Sequence, residues 1–211
     1  MNALQKLILA GMILSFGTAK SQSQNLVVNS DLEEVNYILT TDSFLCDTVP
    51  YYKPELKYWY SANMTTFWYM HEDLTPCESV PWVGTPLNSR GFEYPHSGKG
   101  YLMAMTWDNV SPDTIASGAS MYQTGLTDSL IPGHKYCFSA YISSTDCGLY
   151  SSDAFGAYFS KTAISSSDVY NFIQYTPQVS NPDFRFPSKY GWTLVSGNFI
   201  AGGGELFITI G

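Results

Sequence analysis

Apolar and polar residues alternate in short runs along this chain, which is the two-residue period of β-strands. The last run, 205–210, places three aliphatic residues on one face: Leu206, Ile208 and Ile210. A similar run precedes it over 193–201, and three glycines separate the two. Because glycine readily adopts positive φ, the pattern predicts a terminal β-hairpin that turns at 202–204.

Upstream, the clearest interior strand is predicted over 136–143. One of its faces carries Tyr136, Phe138, Ala140 and Ile142, and the other carries Cys137, Ser139 and Tyr141. Weaker strand patterns occupy 25–29, 101–107, 121–126 and 154–160, and Gly, Pro, Asp and Ser turns separate them. No segment sustains the 3.6-residue period of a helix. Many short strands at irregular spacing predict an all-β fold, a jelly-roll β-sandwich.

The N-terminus has the three parts of a secretory signal peptide, predicted over 1–24. Lys6 supplies the positive charge, 7–16 the apolar region and 17–19 the small residues of a cleavage site. The apolar region is too short to span a bilayer, and no later stretch is long enough. We therefore expect an exported protein, with residues 25–211 as one β-sandwich domain in the periplasm, at the outer-membrane surface or outside the cell.

The chain is acidic, with a formal net charge of −8. Loss of Lys6 and Lys20 with the signal would bring the mature charge to about −10. An acidic surface repels phosphate backbones, so nucleic acid is not an expected partner.

Four cysteines lie in the mature part, and an even number in an oxidising compartment predicts disulfides. Three connectivities are possible. We favour Cys46–Cys77 and Cys137–Cys147, because each pair brackets one local unit. The alternative, a zinc site, lacks a C-x-x-C motif.

Aromatic residues are dense in the irregular region between Cys46 and Cys77 and just after it. Aromatic faces stack on sugar rings because the C–H surface of a pyranose is apolar. The candidate platform residues are Trp59, Tyr60, Trp68, Tyr69 and Trp82. For each of these, packing in the core is an equally good interpretation, whereas Trp107 and Trp192 lie on or beside strands and are expected in the core.

Catalytic motifs are missing from the sequence: there is no G-x-S-x-G, H-E-x-x-H or phosphate-binding loop. The run His71-Glu72-Asp73 suggests a metal site or an acid–base group, but a polar loop is the better interpretation. The lone His96 is expected to be a structural hydrogen-bonding group. We predict no enzyme activity; a hydrolase would need two carboxylates paired in space, which one sequence does not reveal.

The opening N-L-V-V-N-S-D-L-E-E over 25–34 resembles the start of secreted modules of Bacteroidetes-type bacteria. The similarity continues through Y-P-H-S-G-K-G-Y (94–101), P-G-H-K-Y-C-F-S (132–139), G-A-Y-F-S (156–160) and the final G-G-E-L-F-I-T-I-G. Such modules look like galactose-binding-type jelly rolls, similar to carbohydrate-binding modules, and often precede an OmpA-like or sorting domain. Family members tend to continue past the last strand, so a stand-alone module and a piece of a longer protein are both compatible with an end at Gly211.

The resemblance implies a structural calcium ion near the first and last strands, with Asp31 and Glu33 as the ligands to test, since hard carboxylate oxygens suit Ca²⁺. The alternative is that both are solvated turn residues. It also implies a non-catalytic module that binds a glycan or cell-wall polysaccharide. The competing hypothesis is a structural or protein-interaction module that binds an envelope protein.

Overall fold

The computed structural model describes residues 24–40, 51–63, 65, 67–74, 83–105, 119–148, 155–167, 175–180 and 188–211. Within these residues the chain is all-β, as the alternating pattern predicts, with one 3₁₀ turn at Glu72–Leu74. None of the described residues forms a helix long and apolar enough to cross a membrane. The predicted signal peptide, Cys46, Cys77, Trp82 and Trp107 lie outside the described residues.

The strands are β1 (Val35–Thr40), β2 (Tyr51–Leu56), β3 (Tyr60–Ser61), β4 (Trp68–His71), β5 (Leu87–Asn88), β6 (Gly91–Phe92), β7 (Gly100–Met103), β8 (Tyr122–Gly125), β9 (Lys135–Ile142), β10 (Gly156–Ser160), β11 (Val179–Ser180), β12 (Thr193–Ile200) and β13 (Phe207–Ile210). A five-stranded antiparallel sheet has the order β11-β10-β13-β8-β3. The other strands form the antiparallel pairs β1-β2, β9-β12, β4-β7 and β5-β6. The interior strand predicted over 136–143 is confirmed as β9.

The main core lies between the five-stranded sheet and the β9-β12 ribbon. The ribbon contributes Phe138 and Phe199, and the sheet contributes Ala157, Phe159 and Ile208. The Phe159 and Phe199 rings stack with their centroids 4.4 Å apart. Since side chains alternate along a strand, each layer therefore has an inner face against this core and an outer face.

A second core cluster joins the N-terminal segment to the sheet and contains Leu56, Trp59, Tyr69 and Tyr122. Asn29 fixes this region. Its φ is +48°, and its side-chain amide donates to the carbonyl oxygens of Glu34 and Lys57, each at 3.0 Å. The buried amide thus closes the turn that follows the first apolar segment.

The predicted terminal hairpin is wrong. The two runs are strands, but β12 pairs with β9 over its whole length, whereas β13 pairs with β10 and β8 in the other sheet. The segment 201–206 is therefore an arch that carries the chain from one layer to the other. Leu206, predicted on the inner face with Ile208 and Ile210, precedes the strand and is exposed.

The arch is held by hydrogen bonds that a hairpin turn would not make. Both carboxylate oxygens of buried Glu205 accept from the backbone N–H groups of Gly202 and Gly203, each at 2.9 Å. The N–H of Gly204 donates to the carbonyl of Leu130 at 2.8 Å. Glycine at 203 is required twice, because its φ is +94° and a Cβ there would lie 2.7 Å from the Cβ of Pro132.

The predicted disulfide between Cys137 and Cys147 is also wrong in this structure, where both cysteines are free and exposed. The thiol of Cys137 on β9 donates to Oδ1 of Asn198, its cross-strand neighbour, at 2.8 Å. At a rise of about 3.3 Å per residue, the strand carries the chain roughly 17 Å beyond Cys137. A disulfide tolerates a Cα separation of only about 7 Å, and the backbone N–H of Cys147 instead contacts the carbonyl of Arg90.

Candidate functional site

Two of the predicted platform residues are parts of the core. Trp59 is only 8% exposed, and its indole N–H donates to the carbonyl of Asn29 at 2.9 Å. Tyr69 is 6% exposed, and its hydroxyl donates to the carbonyl of Leu32 at 2.7 Å. Burial raises the pKa of the Tyr69 phenol well above its ordinary value. Neither ring presents a face to solvent, so the hypothesis that they bind sugar is wrong for this pair.

Of the remaining predicted binding residues, Trp82 lies outside the described residues, and Trp68 and Tyr60 lie in different parts of the structure. Trp68 is half-buried and packs against the core cluster of Met70, Leu74 and Val83. Tyr60 is exposed on β3, the edge strand of the five-stranded sheet, and its hydroxyl accepts a hydrogen bond from Gln123 at 2.9 Å. Tyr60 therefore remains available, but as an isolated ring.

The proposed calcium ligands are both engaged by the backbone. Oδ1 of Asp31 accepts from the N–H of Glu33 at 3.4 Å, and Oε1 of Glu33 accepts from the N–H of Lys99 at 2.8 Å. In the described part of the chain, no group of three or more His, Cys, Asp or Glu side chains could hold a metal ion. Both carboxylates thus take part in local backbone hydrogen bonds, and the calcium ion stays a prediction.

Exposed aromatic rings converge elsewhere, where the segment after β6 meets the end of β9 and the start of β12. We call this surface the aromatic platform; it consists of Phe92, Tyr94, His96, Tyr141 and Trp192. The His96 and Tyr141 rings stack with centroids 3.6 Å apart and an interplanar angle of 16°. The Phe92 and Tyr94 rings meet edge to face at 5.4 Å.

Trp192 supports the other residues of the platform through a hydrogen bond and ring contacts. Its indole N–H donates to the carbonyl of Tyr94 at 2.8 Å, which fixes the 92–96 segment against the start of β12. The ring contacts His96 edge to face at 6.3 Å and Tyr101 at 5.5 Å. Burial raises the pKa of Tyr101 to about 12, so this supporting phenol stays neutral. The expectation that Trp192 belongs to the core is thus half right, since one part of its ring supports an exposed surface.

The preceding strand is anchored to the turn after β9. The N–H of Phe92 donates to Oδ2 of Asp146 at 2.8 Å, and the hydroxyl of Ser143 donates to Oε2 of Glu93 at 2.6 Å. Gly91 has a φ of +136°, and a side chain there would collide with Asp146. These contacts hold the start of the platform segment, and the Trp192 indole holds it at Tyr94, so its rings are preorganised.

The platform is open to solvent and bordered by polar groups. Phe92 is 54% exposed, Tyr94 62% and Tyr141 44%. Beyond Tyr141, the outer face of the β9-β12 ribbon continues with the exposed cross-strand pair Ser139 and Ser196. An apolar surface bordered by hydroxyl groups can stack on the C–H face of a ring while hydrogen bonding at its edge.

The side chains of the acidic cluster around His71 are engaged in local contacts. Nδ1 of His71 accepts from the N–H of Asp73 at 3.1 Å, and Oδ2 of Asp73 accepts from the Tyr37 hydroxyl at 2.7 Å. Glu72 forms an ion pair with Lys99 at 2.7 Å. Burial lowers the pKa of His71. The interpretation of this run as a polar loop fits Glu72 and Asp73, which lie in the 3₁₀ turn, but is wrong for His71, which is buried on β4.

One feature of the sequence points to the platform. Tyr141 falls on the polar face of the predicted strand, together with Cys137 and Ser139, where a large ring would have no core to enter. His96 was expected to be structural, and its stacking on Tyr141 depends on a contact between segments far apart in the chain. Only the fold brings these rings together.

No protein-family model matches this chain, and comparisons with curated proteins and with solved structures found no match.

Proposed function

We propose that this protein is an exported, non-catalytic module that binds a glycan or cell-wall polysaccharide through the aromatic platform. The observation that carries the proposal is the convergence of exposed rings from two segments, 92–96 and Tyr141, with the first segment held by the half-buried Trp192 indole and by Asp146. Neutral polysaccharide suits it best, because an acidic protein would repel an acidic polymer. Preorganised rings also lose little conformational entropy on binding.

Affinity electrophoresis against a panel of polysaccharides tests the proposal. Removing a well-placed aromatic ring from a binding surface costs about 2 kcal/mol, which corresponds to roughly thirtyfold in affinity. We expect this loss for Tyr94→Ala and for Tyr141→Ala. Tyr52→Ala is a matched control, because Tyr52 is 65% exposed against 62% for Tyr94 and lies on β2, away from the platform. No retention of the wild type by any polysaccharide, or equal loss in the control, would overturn the proposal.

A second candidate is a module that binds an envelope protein, and the β1-β2 ribbon favours it. This ribbon exposes Tyr37, Ile38, Leu39 and Tyr52, a concentration of large apolar side chains that soluble surfaces seldom carry. If the ribbon is the functional surface, Leu39→Asp abolishes capture of an envelope protein in a pull-down, and Tyr94→Ala leaves it intact. If Tyr94→Ala instead abolishes polysaccharide binding and Leu39→Asp leaves it intact, the first function is supported.

The structural calcium ion belongs to the same proposal as a subsidiary element. If Asp31 and Glu33 bind Ca²⁺, adding CaCl₂ to the chelator-treated protein raises its melting temperature, and Asp31→Asn removes the shift. An unchanged melting temperature refutes the calcium site and leaves the glycan proposal standing.

A further inference from the structure

A cavity of about 470 Å³ opens on the other layer of the molecule, at the edge of the five-stranded sheet. Its walls include Tyr158, Lys161, Thr162, Tyr175, Gln178 and Glu205. This volume lies within the roughly 300–1,000 Å³ that ligand pockets occupy. Phe159 faces the core, so strand alternation turns Tyr158 to the outer face, opposite to the outer face that carries Tyr141.

The walls of the cavity are fixed by hydrogen bonds. The side-chain amide of Gln178 pairs with both backbone groups of Phe159, at 2.8 and 2.9 Å, and so replaces a neighbouring strand at this point of β10. The loop that forms the opposite wall is anchored by the fully buried amide of Gln123, which pairs with both backbone groups of Ile164 at 3.0 and 2.8 Å. The cavity is therefore preformed, which lowers the entropic cost of binding.

The chemistry of the walls selects the ligand. One wall is aromatic, because the Tyr158 and Tyr175 rings stack at 4.6 Å and Tyr175 remains 50% exposed. The rest carries the Thr162 and Ser165 hydroxyls and the Lys161 ammonium, so an apolar ligand would remove these polar groups from water without replacing their hydrogen bonds. An anion would approach the buried carboxylate of Glu205, although Lys161 lies in the same wall. A neutral polyhydroxylated ring satisfies both walls.

We propose that this cavity is a second binding site, for one neutral sugar residue, on the face opposite the aromatic platform. The module would then be bivalent and could bridge two glycan chains. The inference rests on the proposed function only for this bridging role, since sugar binding in the cavity can be measured separately.

The test is titration of the ¹⁵N-labelled full chain with glucose, galactose, mannose and N-acetylglucosamine, one at a time, with amide shifts followed by NMR. We expect at least one sugar to shift the amides of Lys161 and Thr162. Tyr175→Ala should weaken this binding about tenfold, and Ala163→Trp, which fills the mouth from an exposed position, should abolish it. Tyr190→Ala, at a 96% exposed tyrosine outside the cavity, is the control.

Three results would overturn the inference: no neutral sugar shifts these amides, Ala163→Trp leaves the shifts unchanged, or glucuronic acid binds more tightly than glucose. Polysaccharide binding by the platform is measured separately, by affinity electrophoresis of the Tyr141→Ala variant. Cavity shifts with an inactive platform would refute the proposed function alone, whereas polysaccharide retention without cavity shifts would refute the second site alone.

Discussion

The arch between β12 and β13 can be tested with two adjacent glycines that differ in one respect. Gly203 and Gly204 have similar positive φ values, +94° and +86°. Alanine at either position incurs the cost of the left-handed region, about 1–2 kcal/mol. Their surroundings differ: a Cβ at 203 would lie 2.7 Å from Pro132, whereas the nearest atom at 204 is the Cδ of Lys161 at 3.8 Å.

The contact with Pro132 should therefore make Gly203→Ala more destabilising than Gly204→Ala. Pro132 has a rigid ring, and the N–H of the following Gly133 donates to the carbonyl of Ala201 at 2.9 Å, so the ring has little freedom to withdraw. Overpacking of this kind costs about 1–3 kcal/mol. We expect Gly203→Ala to lower the free energy of unfolding by about 2–5 kcal/mol and Gly204→Ala by about 1–2 kcal/mol.

Urea unfolding followed by tryptophan fluorescence measures the difference, provided that both variants keep the wild-type m-value. The matched φ values cancel the backbone cost, so the difference reports the contact with Pro132. Equal destabilisation of the two variants would falsify the arch geometry, because a simple hairpin turn would leave residue 203 as open as residue 204.

Three further predictions concern single buried side chains. Asn29→Gly should lower the free energy of unfolding by about 2–3 kcal/mol, because the side-chain hydrogen bonds of Asn29 are lost. Asn29→Ala should lower it by about 1 kcal/mol more, because alanine also disfavours the positive φ at this position. Equal losses for the two variants would contradict this order. Burial lowers the pKa of His71, so the unfolded state binds the proton more readily. Unfolding free energy should thus fall as pH drops below about 6.5, and His71→Asn should flatten this dependence in urea titrations at several pH values; an unchanged slope is the contrary result. Gln123→Leu should lower the free energy of unfolding in urea by about 3 kcal/mol or more, because the backbone N–H and carbonyl of Ile164 lose their hydrogen-bond partner. The control Tyr60→Phe should lower it by less than about 1 kcal/mol. Similar costs for the two variants would show that Gln123 does not anchor the loop.

Alternation along the chain correctly predicted β9, β10 and β12, but it missed β1, β2 and β4, and the predicted strand over 25–29 forms only an isolated bridge at Val27. It sorted β9 into a buried face with Phe138 and an exposed face with Tyr141, as the structure has them. It could not identify pairing partners, because a two-residue period is the same whether a strand pairs with its neighbour in sequence or with a distant one. The sequence pattern therefore favours pairing the two terminal runs with each other, whereas in the structure β12 pairs with β9.

The predicted binding residues failed for a related reason. Trp59 and Tyr69 lie in a region rich in aromatic residues and broken by prolines, which is typical both of a binding loop and of a segment that packs over a sheet. The deciding contacts are those of Trp59 with the carbonyl of Asn29 and of Tyr69 with the carbonyl of Leu32, both more than 25 positions apart. Composition shows that rings are present, but only tertiary contacts decide which of them are covered.

The outer faces of the two layers show how loops decide which rings are available. Tyr141 and Tyr158 are both directed outward by the same alternation, yet one belongs to an open platform and the other to the wall of a cavity. The difference lies in two anchoring groups: the Trp192 indole holds its segment beside the first ring, and the Gln123 amide holds a loop beside the second. Because each anchor binds the backbone of a loop, recognition in this fold can change through the loops while the pairing of the strands stays the same.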